Sequence, residues 1–184
     1  TEAVGRYNPA EQMAAIRALP VLPDGVSLAL RELLPEHADQ AAAQDFLAWR
    51  SAAGIQPQII LYAPEELLRL RTLRDAGIIP ATLADVLFVL GRYLAPGEAV
   101  EPRALLDFLA RGETPERWMA CAFGREETAC LLVAAALGGD VRVGFENSLW
   151  HADGRLASDN AERVEEIASL IDRLGRVRLG SAPR

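Results

Sequence analysis

Lysine is absent from this 184-residue sequence, so all 19 basic residues are arginines, against 26 acidic residues. The net charge is −7, and no cluster of basic residues stands out. Nucleic acids and anionic membranes attract proteins through such clusters, so neither is an expected partner. Cysteine is also scarce, because Cys121 and Cys130 are too few for a disulfide framework or a zinc knuckle. We expect both to be packing residues in a reducing, cytoplasmic compartment.

Membrane spans and nucleotide-binding loops are missing as well. No apolar run reaches the length of a membrane-spanning helix. No Gly-x-Gly-x-x-Gly follows a predicted strand and there is no Walker loop, which argues against the nucleotide-binding folds. Hydrophobic residues make up 51% of the chain and charged residues 24%, which excludes a disordered chain. The length suits one domain with a sizeable core.

Short apolar segments alternate with helical segments along the chain, which indicates an α/β fold with parallel strands. The sheet is either open and doubly wound or closed into a (β/α)8 barrel. Because crossovers between parallel strands are right-handed, we predict that the strands are adjacent in chain order. The predicted strands are Val26–Leu30, Gln58–Tyr62, Asp85–Leu90, Trp118–Phe123 and Val141–Glu146. The predicted helices are 10–19, 38–53, 64–76, 102–110, 125–137 and 159–174, the last with a capping-box pattern at Asp159 and Glu162.

The last predicted strand has one charged face. Strand side chains alternate between faces, which separates Val141, Val143 and Phe145 from Arg142, Gly144 and Glu146. Buried charges are unfavourable unless they meet a partner, a metal or a ligand. In folds of this class, sites lie where strands end. We expect Arg142 and Glu146 to point into a barrel, and a solvated Arg–Glu pair is the alternative.

The sequence around this strand resembles a known signature. Residues 138–147 read Gly-Gly-Asp-Val-Arg-Val-Gly-Phe-Glu-Asn, and residues 157–164 read Ala-Ser-Asp-Asn-Ala-Glu-Arg-Val. Both stretches are similar to the signature of the β-keto acid cleavage enzymes, and weaker similarities extend over essentially the whole chain. The resemblance implies a zinc-dependent TIM (β/α)8 barrel. It also implies condensation of a β-keto acid with acetyl-CoA, which releases acetoacetate and an acyl-CoA.

The resemblance also assigns site residues. Glu146 matches the glutamate that binds zinc, and Arg142 matches the catalytic arginine. Asn147 occupies the catalytic position after the metal glutamate, where the signature has aspartate. Thr1 and Ser27 lie near the family's hydroxyl ligands for substrate, although Ser27 could instead be satisfied by its neighbours. Tyr62 is assigned either to the substrate site or to the core.

Two features of the family are missing. Its other zinc ligands, a His-x-His pair on an early strand, have no counterpart, because the only histidines are His37 and His151. We expect His151 to be a solvated loop residue. The family's acidic residue on the middle strand should fall near residues 58–62, where there is no carboxylate. Glu65 and Glu66 follow, and they suit the first turn of a helix.

These departures leave three alternatives. A complete barrel needs about 250 residues, so about two β/α units would be absent before Thr1, and with them the His-x-His pair. In that case the chain is one N-terminally incomplete barrel domain of an enzyme, and we expect it to form a homo-oligomer. The second alternative is a catalytically degenerate relative that serves as a metabolite-binding barrel. The third is a partial barrel that completes itself by association, since open sheet edges need covering.

Overall fold

The computed structural model of the protein describes residues 7–80, 82–83, 85–111, 115 and 117–176. Helices and strands alternate through this part of the chain, which confirms the α/β class. The strands are β1 (Gly25–Ala29), β2 (Gln56–Leu61), β3 (Asp85–Leu90), β4 (Arg117–Ala122) and β5 (Asp140–Val141). The helices are α1 (Pro9–Arg17), α2 (Leu30–Leu33), α3 (Gln40–Ala52), α4 (Pro64–Asp75), α5 (Ala104–Leu109), α6 (Glu127–Ala136) and α7 (Asn160–Arg173).

The strands form one sheet in the order β1-β2-β3-β4-β5, as the sequence predicts. β1 pairs with β2 in parallel, with Ser27 opposite Gln58. β4 pairs with β5 in parallel, with Met119 opposite Asp140. A parallel five-stranded sheet in chain order is compatible with part of a TIM-like barrel, and closure of the barrel stays a prediction. None of the helices described is long and apolar enough to cross a membrane.

The described residues fall into two compact units. The first lies within residues 7–87 and 108–118, and the second within 88–107 and 119–176. Each unit buries apolar side chains of its own. In the first these include Leu28, Phe46, Ile59 and Leu70, and in the second Phe88, Ala120, Leu131 and Ile167.

Two helix starts follow from local capping chemistry. At α1, Asn8 and Glu11 exchange side-chain hydrogen bonds with each other's backbone N–H groups, at 2.9 and 2.8 Å. At α7, Asp159 Oδ1 accepts from the backbone N–H of Glu162 at 2.9 Å. The carboxylate of Glu162 turns instead to the backbone N–H of Ser158, at 2.7 Å. The predicted capping box of α7 is thus half formed, with its second bond moved one residue earlier.

The predicted extent of the last strand is wrong. β5 ends at Val141, and a turn begins at Gly144, whose carbonyl accepts the N–H groups of Asn147 at 2.8 Å and Ser148 at 3.1 Å. One reason is that Asn160 Oδ1, at the start of α7, accepts the backbone N–H of Phe145 at 2.8 Å. A second difference is the short helix α2, which follows β1 directly and was not predicted.

Candidate active site

The signature stretch leaves the sheet gradually. The N–H of Arg142 still donates to the carbonyl of Ala120 at 2.9 Å, as a strand residue would. Val141 and Val143 line a groove together with Ile167 of α7, on the side where alternation places them. Beyond this point the chain turns, so the last two signature residues project from a turn at the carboxyl end of β5.

Arg142 and Glu146 are brought together by this turn. Arg142 Nη2 lies 3.6 Å from Glu146 Oε2, and the side chains are 29% and 61% exposed, respectively. The same Nη2 donates to the sulfur of Cys121 at 3.3 Å. Arg142 Nε is buried and has no hydrogen-bond partner among the described residues. A guanidinium held by two contacts and still 29% exposed is suited to bind a substrate carboxylate.

Asn147 is buried beside this pair in sequence, with 6% of its surface exposed. Its carbonyl accepts the backbone N–H of Gly124 at 3.0 Å, which ties the turn to the start of the α6 segment. Its side-chain Nδ2 is buried, and no described residue accepts from it. An amide cannot act as a general base, so this position can donate a hydrogen bond but cannot take up a proton.

Ser27, in the first unit, faces a polar neighbour across the sheet. Its hydroxyl donates to Gln58 Oε1 at 3.4 Å. Gln58 is therefore a specific partner for the alternative in which Ser27 is satisfied by a neighbouring residue. Thr1, the other hydroxyl assigned to substrate, lies outside the described residues. A substrate role for either stays a prediction.

Tyr62 follows β2 and stacks against a cation. The Arg31 guanidinium carbon lies 4.8 Å from the Tyr62 ring centroid. Arg31 Nε also pairs with Glu66 Oε1 at 2.6 Å, and Glu66 Oε2 accepts the N–H of Tyr62 at 2.5 Å. Glu66 sits in the first turn of α4, as expected. Its carboxylate therefore lies at the carboxyl end of β2, where the strand itself has no acidic residue.

The prediction that His151 is a solvated loop residue is wrong. Its side chain is 4% exposed, with Nδ1 2.9 Å from Glu166 Oε2 and Nε2 3.4 Å from Glu162 Oε1. The loop folds back on itself, because the N–H of His151 donates to the Arg155 carbonyl at 2.8 Å. Two carboxylates of α7 thus draw the imidazole inward.

A fully buried ion pair was missed by the sequence analysis. Arg163 Nη2 lies 2.7 Å from Glu127 Oε2, and both side chains have 0% exposure. Burial raises the pKa of Glu127, while Arg163 and the backbone N–H of Gly144 act to lower it. The spacing along α7 could have indicated this burial. Arg163 precedes the buried Ile167 by one helical turn, so both residues lie on the same face of the helix.

A sequence profile of the beta-keto acid cleavage enzyme family matches residues 1–181. The chain belongs to this family. The match includes residues 138–147, so the turn formed by the end of this stretch is the leading candidate for the active site of the chain.

Individual relatives support the family assignment. A 3-dehydrocarnitine:acetyl-CoA trimethylamine transferase from Rhizobium meliloti is 29% identical over 132 residues, which are 71% of this chain and 42% of the relative. A 3-keto-5-aminohexanoate cleavage enzyme from Fusobacterium nucleatum is 39% identical over 59 residues, 32% of this chain and 22% of the relative. A 3,5-dioxohexanoate:acetyl-CoA acetone transferase from Paraburkholderia graminis is 35% identical over 57 residues, 31% of this chain and 18% of the relative. The matches span less than half of each of these relatives.

The donor set for a metal is incomplete in the described part of this family member. No group of three or more His, Cys, Asp and Glu residues there is placed to hold a metal ion. Glu146 offers one carboxylate, whereas a catalytic zinc site takes about three protein ligands. The described residues therefore do not make a zinc site by themselves.

Proposed function

We propose that the protein acts in β-keto acid cleavage, converting a β-keto acid and acetyl-CoA to acetoacetate and an acyl-CoA by retro-Claisen-type chemistry. The observation that carries the proposal is the Arg142–Glu146 pair, which lies on a turn at the carboxyl end of β5 within the family signature. Membership of the family and the acetyl-CoA transferase names of two relatives support the reaction class.

Arg142 would bind the carboxylate of the keto acid and stabilise the negative charge that develops as the carbon–carbon bond breaks. Its contacts with Cys121 and Glu146 fix one end of the guanidinium, so little reorganisation is needed when substrate arrives. Acetyl-CoA would enter as the second substrate. Its acetyl group would be transferred to C2 of the keto acid, which leaves as acetoacetate when the C2–C3 bond breaks, and the CoA thiolate released in the first step would take the acyl fragment as acyl-CoA.

Zinc dependence is part of the proposal, with Glu146 as the one ligand assigned in this chain. A bound zinc would polarise the keto oxygen as a Lewis acid. Glu146 is 61% exposed, so its carboxylate can reach an ion at the mouth of the site. Among the described residues, the ion-pair contact of Glu146 is the 3.6 Å one with Arg142 Nη2, which leaves its carboxylate available to a metal.

A second function, a metabolite-binding relative without turnover, is favoured by one observation. Asn147 places a buried amide where the signature has a carboxylate, so a proton acceptor is lost at that point. Such a protein would retain the arginine that recognises the substrate carboxylate and would lack the chemistry.

The two functions are separated by one assay. The protein, supplied with zinc and acetyl-CoA, is incubated with a panel of β-keto acids, and acetoacetate and acyl-CoA are measured by mass spectrometry. Product that disappears in Arg142→Ala and persists in Arg103→Ala, an exposed arginine of the same unit, supports the enzyme. Calorimetric binding of a keto acid without product, abolished only by Arg142→Ala, supports the binding protein. Product formation that is equal in both variants would contradict the proposal.

A further inference from the structure

The backbone of the turn is held by side chains from α6 and α7. Asn160 Oδ1 accepts the N–H of Phe145 at 2.8 Å. The N–H of Gly144, the next donor of the β5 ladder after Arg142, interacts with the carboxylate of Glu127. The Phe145 amide is thus bound by a side chain of α7 instead of a neighbouring strand, and the Gly144 amide lies near a buried carboxylate of α6, so the strand stops and a turn begins.

Gly144 packs closely against the first residue of α7. A Cβ atom at this position would lie 3.3 Å from Asn160 Oδ1, which is tighter than ordinary van der Waals contact. A side chain at position 144 would therefore require the turn or the first residue of α7 to shift by a few tenths of an ångström.

The buried Glu127–Arg163 pair lies beside the turn and makes further contacts within α6 and α7. Arg163 Nη2 also donates to Thr128 Oγ1 at 3.1 Å, and its Nη1 contacts Glu166. Replacing a buried ion pair with apolar side chains is often neutral or stabilising, so stability alone gives a weak reason for this pair. Its placement gives a better one, because the 2.7 Å contact with Arg163 fixes the Glu127 carboxylate, which acts on the nearby N–H of Gly144.

We propose that Glu127, Asn160 and Arg163 are positioning residues, which hold the backbone at Gly144 and Phe145 and thereby set the direction of Glu146 and Asn147. The catalytic role of the turn rests on the proposed function, whereas the contacts that hold its backbone are independent of that function. None of the three residues needs to touch substrate. Their effect passes through the peptide groups that immediately precede Glu146.

Kinetics of the complete protein give the first test. Asn160→Ala and Glu127→Gln are expected to lower kcat by about tenfold to a hundredfold with KM for acetyl-CoA unchanged, because misplaced groups slow the chemical step. Asn160→Asp keeps an acceptor oxygen and is expected to recover most of the loss. Leu131→Ala, fully buried on α6, is the control, since it lowers thermal stability and should leave kcat intact below the unfolding temperature.

Amide spectra give a test that needs no activity. In 1H–15N NMR, Asn160→Ala and Glu127→Gln should speed hydrogen exchange selectively at Gly144 and Phe145 and shift the side-chain amide signals of Asn147. Leu131→Ala should do neither. Unchanged exchange and unchanged Asn147 signals in both variants would overturn the proposal, whatever the activity.

The remaining outcomes are also decisive. If the wild-type protein is active and kcat survives both substitutions, the residues are structural only and the proposal is wrong. If the wild-type protein cleaves no β-keto acid, the proposed function fails, and the exchange rates and Asn147 signals alone decide whether the three residues position the turn.

Discussion

The guanidinium of Arg142 donates a hydrogen bond to the sulfur of Cys121, with Nη2 and Sγ 3.3 Å apart. The cysteine belongs to β4 and the arginine follows β5, so this contact crosses two neighbouring strands at their carboxyl ends. Burial raises the pKa of the Cys121 thiol to about 12, and the nearby guanidinium counters only part of that rise. The sulfur therefore acts as a neutral acceptor that orients the arginine.

Both cysteines are predicted to be unreactive in the native protein. Burial also raises the pKa of Cys130 to about 12, so neither thiol forms the reactive thiolate near neutral pH. We expect no reaction with a thiol reagent such as Ellman's reagent at pH 8 and reaction of both after denaturation. One fast-reacting thiol in the native protein would contradict the burial of Cys121 or Cys130.

Substitution of Arg142 should affect turnover and leave metal binding intact. Arg142→Ala is expected to lower kcat by about 10²- to 10³-fold, because removing one hydrogen-bond donor to a developing anion typically has an effect of that size in enzymes. Arg142→Lys should recover little, because an ammonium cannot reproduce the guanidinium's directed donors. Steady-state kinetics and zinc content measure the two effects. Unchanged turnover of Arg142→Ala in an active protein would show that the family mechanism does not operate here.

Zinc should be held weakly by the 184-residue chain. Glu146 is one ligand where about three are needed, so we expect well under one zinc per chain after dialysis. Glu146→Gln should reduce even transient binding, because it removes the anionic ligand. Metal analysis by mass spectrometry is the measurement. A full equivalent of tightly held zinc would point to further ligands, with His37 and His151 the first to replace.

Stability in acid should depend on the cap of α7. The backbone N–H of Ser158, followed by Arg155, lowers the pKa of Glu162 to about 2 from an ordinary value of 4.5. A lowered folded-state pKa gives stability that is present above pH 4.5 and is lost as the pH falls towards 2. The raised pKa of Glu127 acts in the opposite direction, so a comparison of variants is needed.

Thermal unfolding of wild-type and Glu162→Gln proteins between pH 2 and 7 tests this dependence. The wild type should be more stable above about pH 4.5, and the difference should shrink towards pH 2. Glu165→Gln, an exposed neighbour on the same helix, is the matched control. A difference that stays constant down to pH 2 would rule out the cap as its source.

The strands were predictable where their limits are set locally. The predicted and observed bounds of β3 coincide at Asp85–Leu90, because an apolar run ends at Gly91, whose φ of +77° favours glycine. The strand order was predictable for a similar reason, since each connection contains a helix and crossovers have a fixed hand.

The end of β5 and the burial of His151 depend on partners distant in sequence. Alternation predicts a strand to Glu146, but it cannot reveal that Asn160 binds the N–H of Phe145. A histidine in a polar loop reads as solvated, and only the fold brings Glu166 within 2.9 Å of it. The sequence pattern singled out Arg142 and Glu146, whose role in a site stays a prediction, and it missed the buried Glu127–Arg163 pair.

β1 passes into α2 between Ala29 and Leu30 with no intervening residue, whereas residues 91–103 separate β3 from α5. The first connection contains no loop residue that could absorb a change in length, so an inserted or deleted residue there would rotate α2 relative to β1, the strand that carries Ser27. The second connection is mostly exposed, and exposed loops accept changes in length. Divergence in substrate range within this scaffold, whether natural or by directed evolution, should therefore accumulate in residues 91–103 and spare the junction after β1.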